Sequence, residues 1–213
     1  MPDFAGEADF SIRFQPFQLY PDLPSGTSND GVDKLAYFTA LGERRYPGRS
    51  TDEKRQKIEG LVGAWARDGL ALTSPFGVKG GRWGSSFDAQ RLIWLARQQG
   101  KEDAMIERIY ELNHVANRPL SDHAALREAA RAAGVDRADE LLADPAGLGA
   151  REVEKKTRSY VRMGITAVPV LILDEKYVIS NGCPEHAFLR ATFRELITTG
   201  TLPWGNGIQP ATA

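Results

Sequence analysis

The feature of this sequence that most constrains its fold is a change of period. From about residue 32 to residue 163 the apolar residues recur at helical spacing. Then, at 168–173 and 177–180, the chain gives two short apolar runs separated by Asp174, Glu175 and Lys176. A helix shows its buried face every third or fourth residue and a strand every second. Two strand-like runs three residues apart have hairpin spacing.

The rest of the order follows from the same signals. Phe10, Ile12 and Phe14 alternate with Ser11 and Arg13 as a half-buried strand does, and Pro16, which cannot donate to a ladder, places that strand at a sheet edge. Residues 20–31 are a loop by composition. Val32, Leu35, Ala36 and Thr39 share a helical face. Ser50 and Glu53 have capping-box spacing ahead of Ile58, Leu61, Val62 and Trp65. Ala89, Leu92, Ile93 and Ala96 precede Gly100; Met105, Ile109, Leu112 and Ala116 form the next stripe. Leu126, Ala129, Ala130 and Ala133 end at Gly134, a left-handed cap, and Val153, Thr157, Tyr160 and Val161 end at Gly164. After the hairpin, Leu189, Phe193, Leu196 and Ile197 run to Gly200, and 201–213 reads as a tail. These stripes are packing faces of a helical block. The predicted order is strand, helical block, hairpin, helix.

Several functions are disfavoured by the totals. With 27 basic and 28 acidic residues in 213 and no long run of either sign, no nucleic-acid surface is expected. The longest apolar run, 168–173, is far shorter than the ~20 residues of a membrane span, and Met1 leads into polar sequence rather than a signal peptide. The expectation is a cytoplasmic protein without membrane contact. A single cysteine excludes an internal disulfide and zinc sites of four cysteines or of two cysteines and two histidines. His114, His123 and His186 are scattered; the first two fall near helix ends, as solvated or capping residues do. No metal is expected. No Gly-x-Ser-x-Gly elbow supports a hydrolase. The glycine-rich "KGGRWGSS" at 79–86 lacks the preceding strand and spacing of a phosphate loop, and reads as the loop entering a helix. Trp83 in it either lines a groove or covers the core. Pro184 stands where a first helical residue belongs, which puts Cys183 at the N-cap of the last helix, where unpaired N–H groups favour a thiolate.

Three stretches, "SIRFQPFQLYPDLP", "GRWGSSFDAQRLIWLARQQGK" and "GITAVPVLILDEKYVISNGCPEHAFL", resemble in order and spacing the signature regions of DsbA-like thioredoxin-fold proteins. The FrnE-type dithiol-disulfide oxidoreductases, some found in polyketide biosynthesis, form the nearest branch. Kappa-class glutathione transferases and hydroxychromene-carboxylate isomerases are more distant. The resemblance implies an α/β, thioredoxin-like fold with an all-helical insertion. The single domain would have thioredoxin parts at 9–20 and 164–200 and its insertion at 32–163. It also implies a cis bond between Val168 and Pro169, although a proline opening a strand is ordinarily trans. Ala167, Val168 and Pro169 would then wall a substrate groove. In the glutathione-using relatives the turn matching Asn181, Gly182 and Cys183 helps hold glutathione. Cys183 is thus either a reactive or glutathione-contacting thiol or an incidental small residue. Ser85 and Gln90 stand where family members commonly have asparagine and histidine.

Family members begin with a strand and a Cys-x-x-Cys helix before the stretch matching residues 10–19. The expectation here is that this first strand, the dithiol and the first helix are missing. The chain would then be a truncated product, or a partner strand would fill the gap, or residues 1–20 would be poorly fixed. Three functions remain open: a thiol-disulfide oxidoreductase, in polyketide or other secondary-metabolite biosynthesis, working through one thiol; a glutathione-dependent isomerase or transferase; and a non-catalytic binding or dimerising protein. The implied partners are a small-molecule or thiol substrate and a homodimer mate, with glutathione as the cofactor to test.

Overall fold

The computed structural model describes residues 2–25, 31–33, 36, 37, 40, 50, 52, 53, 56 and 82–202. The chain forms two compact units, one of Pro16–Thr157 and the other of Met1–Gln15 with Arg158–Ala213. Residues 9–15 therefore belong with the hairpin, and residues 16–20 with the helices.

In the helical unit, β1 (Val32–Asp33) pairs antiparallel with β2 (Arg82–Trp83), Val32 opposite Trp83. Val32 is thus a strand residue and not part of a helical face. The reason is Asp33, whose Oδ1 accepts the Ala36 N–H at 2.8 Å and so caps the helical residues that follow. Gly31, at φ +42°, lies so close to β2 that a Cβ there would sit 2.5 Å from the Trp83 carbonyl oxygen. Ser50 and Glu53 form the expected capping box in both directions, Glu53 N–H to Ser50 Oγ at 3.2 Å and Ser50 N–H to Glu53 Oε2 at 2.7 Å. The expected helical residues Leu35, Thr39, Ile58, Leu61, Val62 and Trp65 lie outside the described residues.

Five helices follow: α1 (Phe87–Gln98), α2 (Glu102–Tyr110), α3 (His123–Ala132), α4 (Ala138–Ala143) and α5 (Ala150–Arg162), the last of which belongs with the hairpin unit from Arg158 onward. One turn of π-helix, Glu111–Val115, extends α2; Leu112 is buried there, whereas Ala116, beyond it, is exposed. The apolar stripes of α1 to α4 meet in one core around Leu92, Met105, Leu126 and Leu141, each sealed from solvent. Burying a side chain of that size contributes about 1.5–3 kcal/mol relative to leaving it in water. Helix α3 starts at Asp122, whose Oδ1 accepts the N–H groups of Ala124 and Ala125. It ends in a Schellman turn: Gly134, at φ +70°, donates to Arg131, and Val135 donates to Ala130. The same turn at Gly164 ends α5, with Ile165 N–H on Tyr160. Along α5 only Ala150 and Val153 are buried, and Val161 is 55% exposed.

The hairpin unit contains β3 (Val170–Leu173), β4 (Tyr177–Asn181) and α6 (His186–Thr199). Its small core consists of Phe4, Tyr177, Ile179, Phe193 and Leu202. Phe4, on a short 3-10 turn (Pro2–Phe4), is the plug, 2% exposed and edge-on to Phe193 at 6.0 Å. Arg190 pairs with Asp3, and Arg194 pairs with Glu7 while its guanidinium lies over the Phe4 ring. The strand expected at 10–14 does not form. Residues 8–18 have no regular structure and Ile12 is 73% exposed. Alternation supplies a face but no ladder, and β3 and β4 pair only with each other among the described residues.

Candidate functional site

The hairpin closes on Asp174 and Glu175, both left-handed at φ 54° and 52°, with Lys176 N–H donating to the Leu173 carbonyl. Two consecutive positive φ values define the turn that matches the right-handed twist of paired strands. The ladder runs Leu173 opposite Tyr177 and Ile172 opposite Val178, then shifts, so that Leu171 faces Ser180 and Val170 faces Asn181. Ile179 is the extra residue of that bulge. Past the ladder, Gly182 N–H donates to the Pro169 carbonyl at 2.8 Å. Gly182 has φ +118°, a region open to glycine, and the Ser180 hydroxyl bonds its carbonyl oxygen.

This arrangement gathers the residues singled out in the sequence. Ala167, Val168, Pro169, Asn181, Gly182 and Cys183 all lie within two residues of the bond between Gly182 and Pro169. Ala167 and Gly182 are half-buried; Val168, Pro169, Asn181 and Cys183 are exposed. The peptide bond between Val168 and Pro169 is cis, as the resemblance implied. Cys183 is a free thiol.

One expectation fails here. Cys183 is not the N-cap of the last helix, because α6 begins at His186 and its N-cap is Glu185, extended at φ −62° and ψ 144°. Proline's fixed φ suits an extended residue as well as a helical one, so Pro184 does not by itself mark the first turn. The thiol therefore precedes the helix by three residues.

Other polar residues serve the helical unit. Gln90 Nε2 donates to the Phe17 carbonyl and Ser86 Oγ, and Ser85 Oγ accepts the Phe87 N–H, so both residues tie the chain at 17–18 and 85–87 to the start of α1. Trp83 packs with Tyr20 and Tyr37, ring centres 5.1 and 5.7 Å away, and covers that corner of the unit. His123, read from sequence as solvated or capping, is buried instead, its Nε2 2.8 Å from Asp88 Oδ2. Asp122 is the cap, which leaves the next side chain to point inward. Asp88 also binds Arg91, which is wholly buried and donates to the carbonyls of Leu141, Asp144 and Leu148. The sequence held a signal for this cluster: Asp88, Arg91, Leu92 and Leu95 share one helical face, so a charged pair falls on the apolar stripe. Among the described residues no group of three or more His, Cys, Asp or Glu side chains could hold a metal ion. None of the described helices is long and apolar enough to cross a membrane.

An antiparallel hairpin followed by a helix that packs on it, with a block of helices ahead of it in the chain, defines a class: a thioredoxin-type fold with a helical insertion. The family is then specific. The model of the DSBA-like thioredoxin domain matches residues 1–193, and the chain belongs to that family. Among solved structures it is similar to one described as a probable DsbA oxidoreductase from Streptomyces coelicolor. The two share 27% identity and a TM-score of 0.65, over 92% of this chain and 78% of that one. No curated protein matches the sequence.

Proposed function

We propose that this protein is a thiol-disulfide oxidoreductase of the FrnE-type branch that works through one thiol, Cys183, at the Pro169 end of the hairpin. The observation that carries this reading is the 2.8 Å bond from Gly182 to Pro169, which sets the only cysteine of the 213 residues one position from the end where the two strands meet. Family membership and the likeness to a probable DsbA oxidoreductase support the chemistry. The resemblance of residues 164–189 supports the branch, and with it a small-molecule substrate of the polyketide type.

Within residues 1–213 there is no second cysteine to resolve a mixed disulfide, so the cycle needs an external thiol. The Cys183 thiolate attacks one sulfur of the substrate disulfide, forming a mixed disulfide and releasing the other sulfur as a thiolate. A second thiol, glutathione being the obvious class, then attacks the substrate sulfur of that mixed disulfide. Cys183 leaves as thiolate and the substrate leaves joined to glutathione. Such a one-thiol cycle suits a reducing compartment such as the cytoplasm.

The test is to incubate the protein with glutathione disulfide and then with a small aromatic disulfide plus glutathione. Intact mass should show one glutathione adduct per chain, and turnover should disappear in Cys183→Ser. An unmodified wild-type chain, or equal turnover in the variant, rules this reading out. Calorimetry with reduced glutathione separates the alternative: saturable binding kept in Cys183→Ser indicates a glutathione-dependent transferase or isomerase, in which the cofactor's sulfur reacts.

A further inference from the structure

Among the described residues Asn181 is the one asparagine followed by glycine; Asn113 precedes His114 and Asn117 precedes Arg118. The pair has a chemical meaning, because an asparagine carboxamide and the next backbone nitrogen can close a five-membered imide. A side chain on the next residue shields that nitrogen, and glycine has none. At Gly182 the space is open, since a Cβ built there would meet nothing within 4 Å. Asn181 is exposed, so water reaches its carboxamide, and it is the last residue of β4, opposite Val170 where the ladder ends. One bond opposes the reaction. The attacking nitrogen is that of Gly182, and its N–H is donated to the Pro169 carbonyl at 2.8 Å. The Ser180 hydroxyl, bonded to the Gly182 carbonyl oxygen, holds the same residue from its other end.

We propose that Asn181 is a self-modification site, converted to aspartate and isoaspartate through an imide with Gly182, at a rate set by opening of the bond between Gly182 and Pro169. The end of a ladder opens far more often than the unit unfolds, so the folded chain reaches the reactive state. In each opening the Gly182 nitrogen gives its proton to hydroxide and attacks Asn181 Cγ. The bond from Cγ to the carboxamide nitrogen breaks, and that nitrogen takes a proton from water and leaves as ammonia. Water then adds to one of the two imide carbonyls and opens the ring. Opening at the side-chain carbonyl gives aspartate; opening at the main-chain carbonyl gives isoaspartate, whose backbone is one carbon longer. No electrons are transferred. Either product puts a carboxylate two positions from Cys183, and the longer backbone displaces Gly182 from its place across from Pro169. The chemistry is the same whether or not Cys183 exchanges disulfides.

The test is to age the full chain at mildly alkaline pH under reducing conditions, folded in buffer and unfolded in guanidinium, and to follow the tryptic peptide 177–190 by mass and retention time. Aspartyl and isoaspartyl forms should both accumulate, about tenfold or more slowly in the folded chain. That slowing should equal the protection of the Gly182 amide against hydrogen exchange, because both report the same opening. Ser180→Ala should raise the folded rate several-fold and leave the unfolded rate unchanged. Asn181 intact in the folded chain while the unfolded chain reacts overturns modification of the native protein. Aspartate without isoaspartate overturns the imide, and equal rates folded and unfolded overturn the control by the Pro169 bond.

Discussion

The two units of this chain bury their apolar residues very differently. Among the described residues, the helical unit holds a core of fifteen buried residues, while the hairpin unit holds five and leaves seven large apolar side chains exposed. The helices satisfy their termini within the unit, locally through Asp122 and Gly134 and over a longer span through Arg91, which gathers the carbonyls of Leu141, Asp144 and Leu148. The hairpin unit depends on one plug, Phe4, brought from the far end of the sequence. The lesson is that stability is concentrated where apolar side chains share one core, and the proposed exchange site sits on the part with less of it.

That contrast can be broken from either side. The largest effect should come from Arg91→Ala, which leaves Asp88 and three carbonyls without their donor in a sealed site. Urea unfolding should show a loss of about 3–5 kcal/mol, carried by the helical signal. Phe4→Ala should cost about 3 kcal/mol and act on the hairpin unit alone, so that near-ultraviolet signals from Tyr177 melt early while helical dichroism persists. If Phe4→Ala lowers both signals together, the units are not separate in stability. Gly84→Ala would place a Cβ 1.8 Å from Ser121 Oγ and should cost about 1–3 kcal/mol, again in the helical signal.

Two smaller changes sharpen the picture. Glu175 occupies a left-handed turn position that glycine fills without strain, so Glu175→Gly should stabilise the hairpin unit by about 0.5–1 kcal/mol, measured as a rise in the midpoint of its transition. The smallest effect concerns pH. The Arg137 guanidinium holds the Glu140 carboxyl below the usual glutamate range. A depressed carboxyl contributes fully above its unfolded value, and that contribution fades as the pH falls through the folded one. Both side chains are more than half exposed, so Glu140→Gln should flatten the acid limb of the helical unit's stability only slightly, read by denaturation at several pH values.

The elements that sequence reading captures are those whose signals are local. Gly134, Gly164 and Gly200 end helices where the periodicity stops, Ser50 and Glu53 form their box, and the hairpin falls close to its expected bounds. What sequence reading misses depends on distant partners. Phe4 sits in a stretch without periodicity, and its burial comes from Phe193 and Tyr177, more than 170 positions away. Phe10, Ile12 and Phe14 carry the strand pattern but form no ladder. His123 is fixed by Asp88, thirty-five residues earlier. Of the candidate site, the residues were legible, while the place of Cys183 was not, since Pro184 is compatible with two starts of α6.

The bulge at Ile179 has a consequence for the proposed exchange site. Counting outward from the turn without it, Asn181 would stand across from Pro169, and a branched side chain would occupy the spot where the backbone takes a fold reserved for glycine. One surplus residue in a five-residue strand thus acts as a vernier, moving Gly182 into that slot and bringing Cys183 one step nearer to Pro169.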